Sequence, residues 1–178
     1  QVFRQRVVLL DDQPSTIRVR GGDSWIRDCN FDLLRVSVTN NLVLNDVACD
    51  TDGAVYVSDM KTSKIYRYGD GEVSMFAEGN ELEYPNGLLV DGDRLIVAAW
   101  GSDDTPGRLF SLDLKTAAKT PITQQPTGNL DGVEAGGKGG YIVTDYIEGK
   151  VLRIAGDGTT NTILDLEQGT ADFAYLAN

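Results

Sequence analysis

The chain has 178 residues, 41% of them hydrophobic, and 20 glycines, which suits one turn-rich globular domain with a real core. Its formal charge of -11 excludes a nucleic-acid backbone or an anionic membrane surface as natural partners, because counterion release needs clustered Lys and Arg. With no histidine it cannot assemble Ser-His-Asp or Cys-His machinery, so a hydrolase built on it must use carboxylates, lysine or a metal.

Residues 1–44 read as an irregular N-terminal segment or else as a degenerate blade. Arg6–Leu10 and Thr16–Arg20 read as strands around the turn signal Asp11-Asp12-Gln13-Pro14, Gly21–Ser24 as a loop, and Leu33–Val38 as a third strand. The opening residue is Gln1, so any leader is expected to have been removed already. Cys29 and Cys49, 20 apart, build no disulfide framework and match no zinc spacing, and the expectation is against a disulfide. The longest apolar run, about six residues from Leu95 to Trp100, is far short of the ~20 that span a bilayer. A soluble protein is expected, cytoplasmic or exported.

From Asn45 the pattern becomes regular. A strand at Asp46–Cys49, the turn Asp50-Thr51-Asp52-Gly53, and strands at Ala54–Ser58, Lys64–Tyr68 and Val73–Ala77 make one four-stranded antiparallel unit over 45–84. The order returns over 85–129, with strands at Gly87–Val90, Arg94–Ala99, Arg108–Leu112 and Lys119–Thr123 and an extra loop at 101–107. It returns again over 130–170, with strands at Val133–Ala135, Tyr141–Thr144, Lys150–Ile154 and Thr162–Leu166, and a further unit starts within 171–178. Asn45, Asn86, Asp131 and Ala171 mark steps of 41, 45 and 40 residues. Val57-Ser58-Asp59 and Val143-Thr144-Asp145 keep the same offset, and Val97-Ala98-Ala99 matches with one residue fewer. A period of 40–45 with four strands per unit predicts an all-β chain, a β-propeller of which three blades and fragments are readable. An open array of blades predicts self-association, since it leaves an edge and an apolar face uncovered.

In a propeller the first strand of each blade lines the central channel, so Asn45, Asn86 and Asp131 are expected at one rim. Two amide oxygens and a carboxylate are hard donors suited to calcium or magnesium. Taken singly, Asn-Gly and Asp-Gly are turn signals; it is the shared register, kept even where Asn45 precedes Asp rather than Gly, that points to binding. Asp59 and Asp145 are expected beside Asn45 and Asp131, either behind the site at a substrate pocket or capping the next turn. Trp100 and Tyr146 are candidates to wall that pocket, or else blade packing.

The segments Asn45-Asp46-Val47-Ala48, Asp52–Asp59, Pro85-Asn86-Gly87-Leu88 and Leu130-Asp131-Gly132-Val133 resemble the gluconolactonase and senescence-marker-protein (regucalcin-like) family, over residues 45–178. The resemblance implies a six-bladed propeller holding a divalent cation, calcium first and zinc or magnesium as alternatives. It also implies the ligand set Asn45, Asn86 and Asp131, with a glutamate from a preceding blade that residues 1–44 do not present. The activity implied is hydrolysis of small sugar lactones or similar esters, with Asp131 as ligand and catalytic residue. A non-catalytic ligand- or protein-binding propeller and a strictosidine-synthase-like propeller are the competing readings.

Overall fold

The computed structural model describes residues 43–102 and 104–174, together with the backbone of two short strands, β1 (Thr16–Val19) and β2 (Leu34–Ser37), which pair antiparallel. The expected strand at Arg6–Leu10, its turn and the loop at 21–24 lie outside the described residues.

Three four-stranded antiparallel meanders follow, and they are blades of a β-propeller. Blade I is β3 (Leu44–Cys49), β4 (Val55–Asp59), β5 (Lys64–Gly69) and β6 (Glu72–Glu78). A 3-10 turn at Asn80–Leu82 leads to blade II: β7 (Pro85–Asp91), β8 (Arg94–Ala99), β11 (Leu109–Asp113) and β12 (Lys119–Pro121). The extra loop of blade II is a small hairpin, β9 (Gly101–Ser102) with β10 (Thr105–Pro106). Blade III is β13 (Leu130–Gly137), β14 (Gly140–Asp145), β15 (Lys150–Ile154) and β16 (Thr160–Asp165). Residues 171–174, where a further unit is expected to begin, carry no strand, but they lie against blade III: a Cβ on Gly132 would sit 3.0 Å from Asp172 Cα.

The burial of each strand follows from its place in the stack. The second strands β4 and β8 are buried along nearly their whole length, β8 as an apolar run with a blade on each side, whereas the outermost β16 is exposed throughout. Strand β8 shows the logic residue by residue. Leu95, Val97 and Ala99 pack with Tyr56, Ile65 and Leu88 between blades I and II, while Ile96 and Ala98 pack with Leu130, Tyr141 and Val143 between blades II and III. Turn chemistry sets the register. Asp70 (φ 56) and Gly71 (φ 83) supply the two positive φ values of a type I′ hairpin between β5 and β6.

Cys49, at the end of β3, is disulfide-bonded, which corrects the expectation from spacing alone. Sequence separation says nothing about the approach of two chain segments, and that approach decides whether a bridge closes. Among the described residues no helix is long and apolar enough to cross a membrane.

Candidate functional site

The three inner strands share one irregularity. The ladder between first and second strand slips between Leu44 and Val47, between Pro85 and Gly87, and between Leu130 and Val133. Each slip is a β-bulge, and each contains one of Asn45, Asn86 and Asp131. A bulge bends the strand and re-aims a side chain that would otherwise alternate with its neighbours. In blades I and III the freed N–H is taken up by a hydroxyl of the second strand: Asp46 N donates to Ser58 Oγ at 2.9 Å, and Gly132 N to Thr144 Oγ1 at 2.8 Å. The Ser58 and Thr144 markers in the repeat therefore complete the bulge. Blade II has Ala98 there, and Gly87 pairs with Ala98 directly in the ladder.

Those bulges bring the predicted residues together across blades. Asn45 Nδ2 donates to Asn86 Oδ1, and Asn86 Nδ2 donates to Leu130 O at 3.1 Å, beside Asp131. Asn86 is 1% exposed, and its own backbone O accepts from Ser58 Oγ at 2.7 Å, so this residue ties all three blades. The inner strands approach closely: a Cβ on Gly87 would lie 2.0 Å from Asp131 O, which leaves room for glycine alone.

Around this chain of amides stands a set of acids. Burial pushes the Asp131 carboxyl up to about 6, the charge of Asp172 adds to the rise, and the Asn86 amide opposes it. Asp46 is pushed up to about 7, first by burial and then by Asp172 and Asp131, although its carboxylate accepts from Leu88 N and Val47 N, both at 2.7 Å. Glu134, on β13, is pushed up to about 7 by burial and by Asp172. Burial also raises Asp172, with the Phe173 N–H opposing, but Asp172 is exposed on its outer side and solvent limits that rise. Among the described residues no Lys or Arg is a main perturbing group of these four acids. Carboxyls raised together in this way mark a candidate functional site. Among the described residues no group of three or more His, Cys, Asp or Glu side chains is placed to hold a metal, so a cation here would draw on the amide oxygens as well.

Asp59 and Asp145 are buried and stand opposite Leu44 and Leu130 in the ladders, next to the bulges. Their oxygens serve the chain around them. Asp59 accepts from Val43 N at 3.0 Å and from the Thr62 hydroxyl, and Asp145 from Glu148 N at 3.2 Å, as turn caps do. Trp100 and Tyr146 stack on one another, ring centroids 5.6 Å apart at 51°, and are tied to the site end of the blades through Asn129: Asn129 Nδ2 donates to Trp100 O and Tyr146 N to Asn129 O. A cleft of about 660 Å³, lined by Asp50, Tyr56, Arg67, Phe76 and Lys115 among others, opens at the opposite end of the blades and contains none of these residues.

Sequence reasoning missed Asp46, Glu134 and Asp172. Asp46 had a usable signal, since it occupies the place of Gly87 and Gly132 and must there do something a glycine cannot. Its carboxylate reaches across to Leu88 N of blade II.

The profile of the SMP-30/gluconolactonase/LRE-like region matches residues 28–171. The chain belongs to this family. Solved structures share the propeller at low identity. A virginiamycin B lyase from Staphylococcus aureus superposes with TM-score 0.63 at 13% identity, covering 88% of this chain and 57% of that one. A streptogramin B lyase gives 0.59 at 20%, covering 72% and 43%. A gluconolactonase from Xanthomonas campestris gives 0.57 at 17%, covering 81% and 56%. The chain thus spans about half the length of these structures. No curated protein matches it by sequence.

Proposed function

We propose that Asn45, Asn86 and Asp131 hold one divalent cation, calcium in the first place, and that the whole protein uses this site to hydrolyse a small neutral lactone or related ester. The observation that carries the reading is the hydrogen-bonded convergence of two amides from blades I and II on the strand bearing Asp131, amid acids that no cationic side chain among the described residues offsets. The donor set fits. Amide and carboxylate oxygens are what calcium and magnesium take, and a cation would offset the burial, and after it the repulsion, that raise Asp131 and Asp46. Zinc prefers nitrogen and sulfur ligands, which the described part of this site does not offer.

When bound, a divalent cation supplies Lewis-acid polarisation of a substrate carbonyl. The chain's own contribution is positional and electrostatic. Asn86, buried and bonded on both sides of its amide, has no rotational slack, so a ligand it contacts is held at a fixed point of the axis. Asp131, raised to about 6, is largely ionised at neutral pH and still basic enough for a carboxylate oxygen to take a proton from water. Ligation would lower that basicity, so ligand and base are competing demands on the same carboxylate. The surplus of negative charge disfavours anionic substrates and favours a neutral lactone over its carboxylate product, which assists release.

The test is hydrolysis of a sugar lactone followed by proton release, with and without a chelator. The reading expects chelator-sensitive turnover that calcium restores and that Asp131→Asn abolishes. Turnover indifferent to both would sink it. One observation favours a second reading, a ligand-binding propeller without catalysis. Among the described residues every buried side-chain polar atom has a hydrogen-bond partner, so the amide chain is also a satisfied structural network.

A further inference from the structure

The chain entering β7 is unlike the chain entering β13. Glu83 (φ 55, ψ 39) and Tyr84 (φ 59) are consecutive left-handed residues, neither a glycine, and they lead straight into Pro85–Asn86. A side chain with a Cβ disfavours that backbone region, so two in a row persist only where surrounding contacts impose them. Those contacts are present. Glu83 O accepts from Gly101 N at 2.8 Å, Tyr84 O accepts from Trp100 N at 2.9 Å, and Tyr84 N donates to Ser63 Oγ at 3.3 Å. The Glu83 carboxylate is divided between two cations of its own blade, Arg108 Nη1 at 3.1 Å and Lys119 Nζ at 2.9 Å. Lys119 is itself fixed, 4.0 Å above the Phe110 ring and bonded to Glu81 O.

Comparison among the blades says why the device sits here. In blades I and III a carboxylate at the end of the second strand stands beside the chain at the head of the inner strand, and in blade I it anchors that chain by a hydrogen bond. Asp59 Oδ1 accepts from Val43 N, and Asp145 lies so close to Gly128 that a Cβ there would meet Oδ2 at 2.3 Å. Blade II has Ala99 at that place and Ala98 where the other blades carry a hydroxyl. It therefore lacks both anchors, although its Asn86 is the residue that ties all three blades.

We propose that Glu83 is a positioning residue for Asn86, replacing from the incoming chain the carboxylate that blade II lacks on its second strand. Paired with Arg108 and Lys119, it holds the left-handed turn whose exit direction sets the aim of the Asn86 amide. The inference rests on the cation-site reading only for its consequence for binding; the position of Asn86 is measurable without any cation.

The experiment uses the intact chain labelled with nitrogen-15 and follows hydrogen exchange of the Asn86 side-chain amide beside the backbone amides of Val143 and Leu152 in blade III. Glu83→Gln keeps the shape and removes the charge, Glu83→Gly also relieves the left-handed strain, and Arg108→Met removes one cation should the Glu83 variants fold poorly. In each, exchange at Asn86 Nδ2 is expected to rise about tenfold, the weight of a charge-assisted hydrogen bond, with Val143 and Leu152 unchanged. Wild-type protection of Asn86 in these variants, or a rise shared equally by Val143 and Leu152, would overturn the proposal, the latter by showing a role in general stability only. Calcium titration of the same samples separates the two readings. A wild type that binds calcium should lose about tenfold in affinity on Glu83→Gln, whereas one that binds none refutes the cation site and leaves the exchange result to judge the clamp.

Discussion

Replacing Thr144 by valine isolates the hydroxyl that completes the bulge at Asp131. Thr144 is fully buried, and its Oγ1 accepts from Gly132 N at 2.8 Å. Valine matches threonine in shape and in strand preference, so neither a cavity nor a propensity change confuses the result. What remains is a buried N–H, one residue from Asp131, stripped of its partner. Leaving such a donor unsatisfied costs about 1–3 kcal/mol, and because Gly132 is held between β14 and residues 172–173 it has little freedom to find another acceptor, so a loss of about 2 kcal/mol is expected. With a urea dependence of about 2 kcal/mol per molar, that is a fall of about 1 M in the unfolding midpoint, read by far-ultraviolet circular dichroism. Ser58→Ala should cost at least as much, since Ser58 Oγ both accepts from Asp46 N and donates to Asn86 O. A Thr144→Val midpoint within about 0.2 M of wild type, which is about 0.4 kcal/mol or roughly one fifth of the expected loss, would refute the claim that the hydroxyl holds the bulge.

Gly87→Ala should be far more damaging than its size suggests. Its Cβ would lie 2.0 Å from Asp131 O, a backbone atom that cannot swing aside, so a loss of about 3 kcal/mol or failure to fold is expected, with Gly92→Ala, in open space at φ 64, as the milder control in the same thermal melts. Glu134 gives a pH signature. Its folded-state value of about 7 exceeds the ordinary 4.5, so the folded chain binds the extra proton, and the stability this contributes is fully present below pH 4.5 and lost as pH rises through 7. Glu134→Gln should flatten that fall by up to roughly 2 kcal/mol after allowance for solvent screening, and identical stability-against-pH curves for variant and wild type would contradict it. Asn86→Leu keeps the residue buried while orphaning Leu130 O and the Asn45 amide, and a loss of about 2–4 kcal/mol is expected in the urea assay, with no measurable loss as the contrary result.

Much of the blade architecture was legible because propeller strands obey local rules. Apolar runs such as Leu95–Ala99 are what a strand buried on both faces must be, and Asp70-Gly71 and Asp50–Gly53 are turns whose chemistry is written in two to four residues. The candidate site was legible for a different reason: repetition put Asn45, Asn86 and Asp131 in one register. What repetition could not show was anything specific to one blade. The bulges need a ladder before they can be seen, so Ser58 and Thr144 stood as markers without a role. Asp46 acts across a blade boundary and Glu83 within its own blade, on partners 42 and 25 or more residues away, separations at which no local pattern operates. Strand limits shifted most at β13, which runs from Leu130 to Gly137 rather than from Val133, because the bulge interrupts alternation without ending the strand.

The central claim is that two asparagines and an aspartate from three successive blades converge to hold one cation. Calorimetric calcium titration tests it most directly, run on the whole protein at pH 6 in two buffers of different ionisation enthalpy. The account predicts a single site whose binding releases protons, because Asp131 and Asp46, raised to about 6 and about 7 without the ion, must ionise fully beside it. It further predicts that Asn86→Ala and Asp131→Ala each weaken binding at least tenfold. Binding that survives both substitutions unchanged and releases no proton, or a wild type with no calcium heat at all, would contradict it.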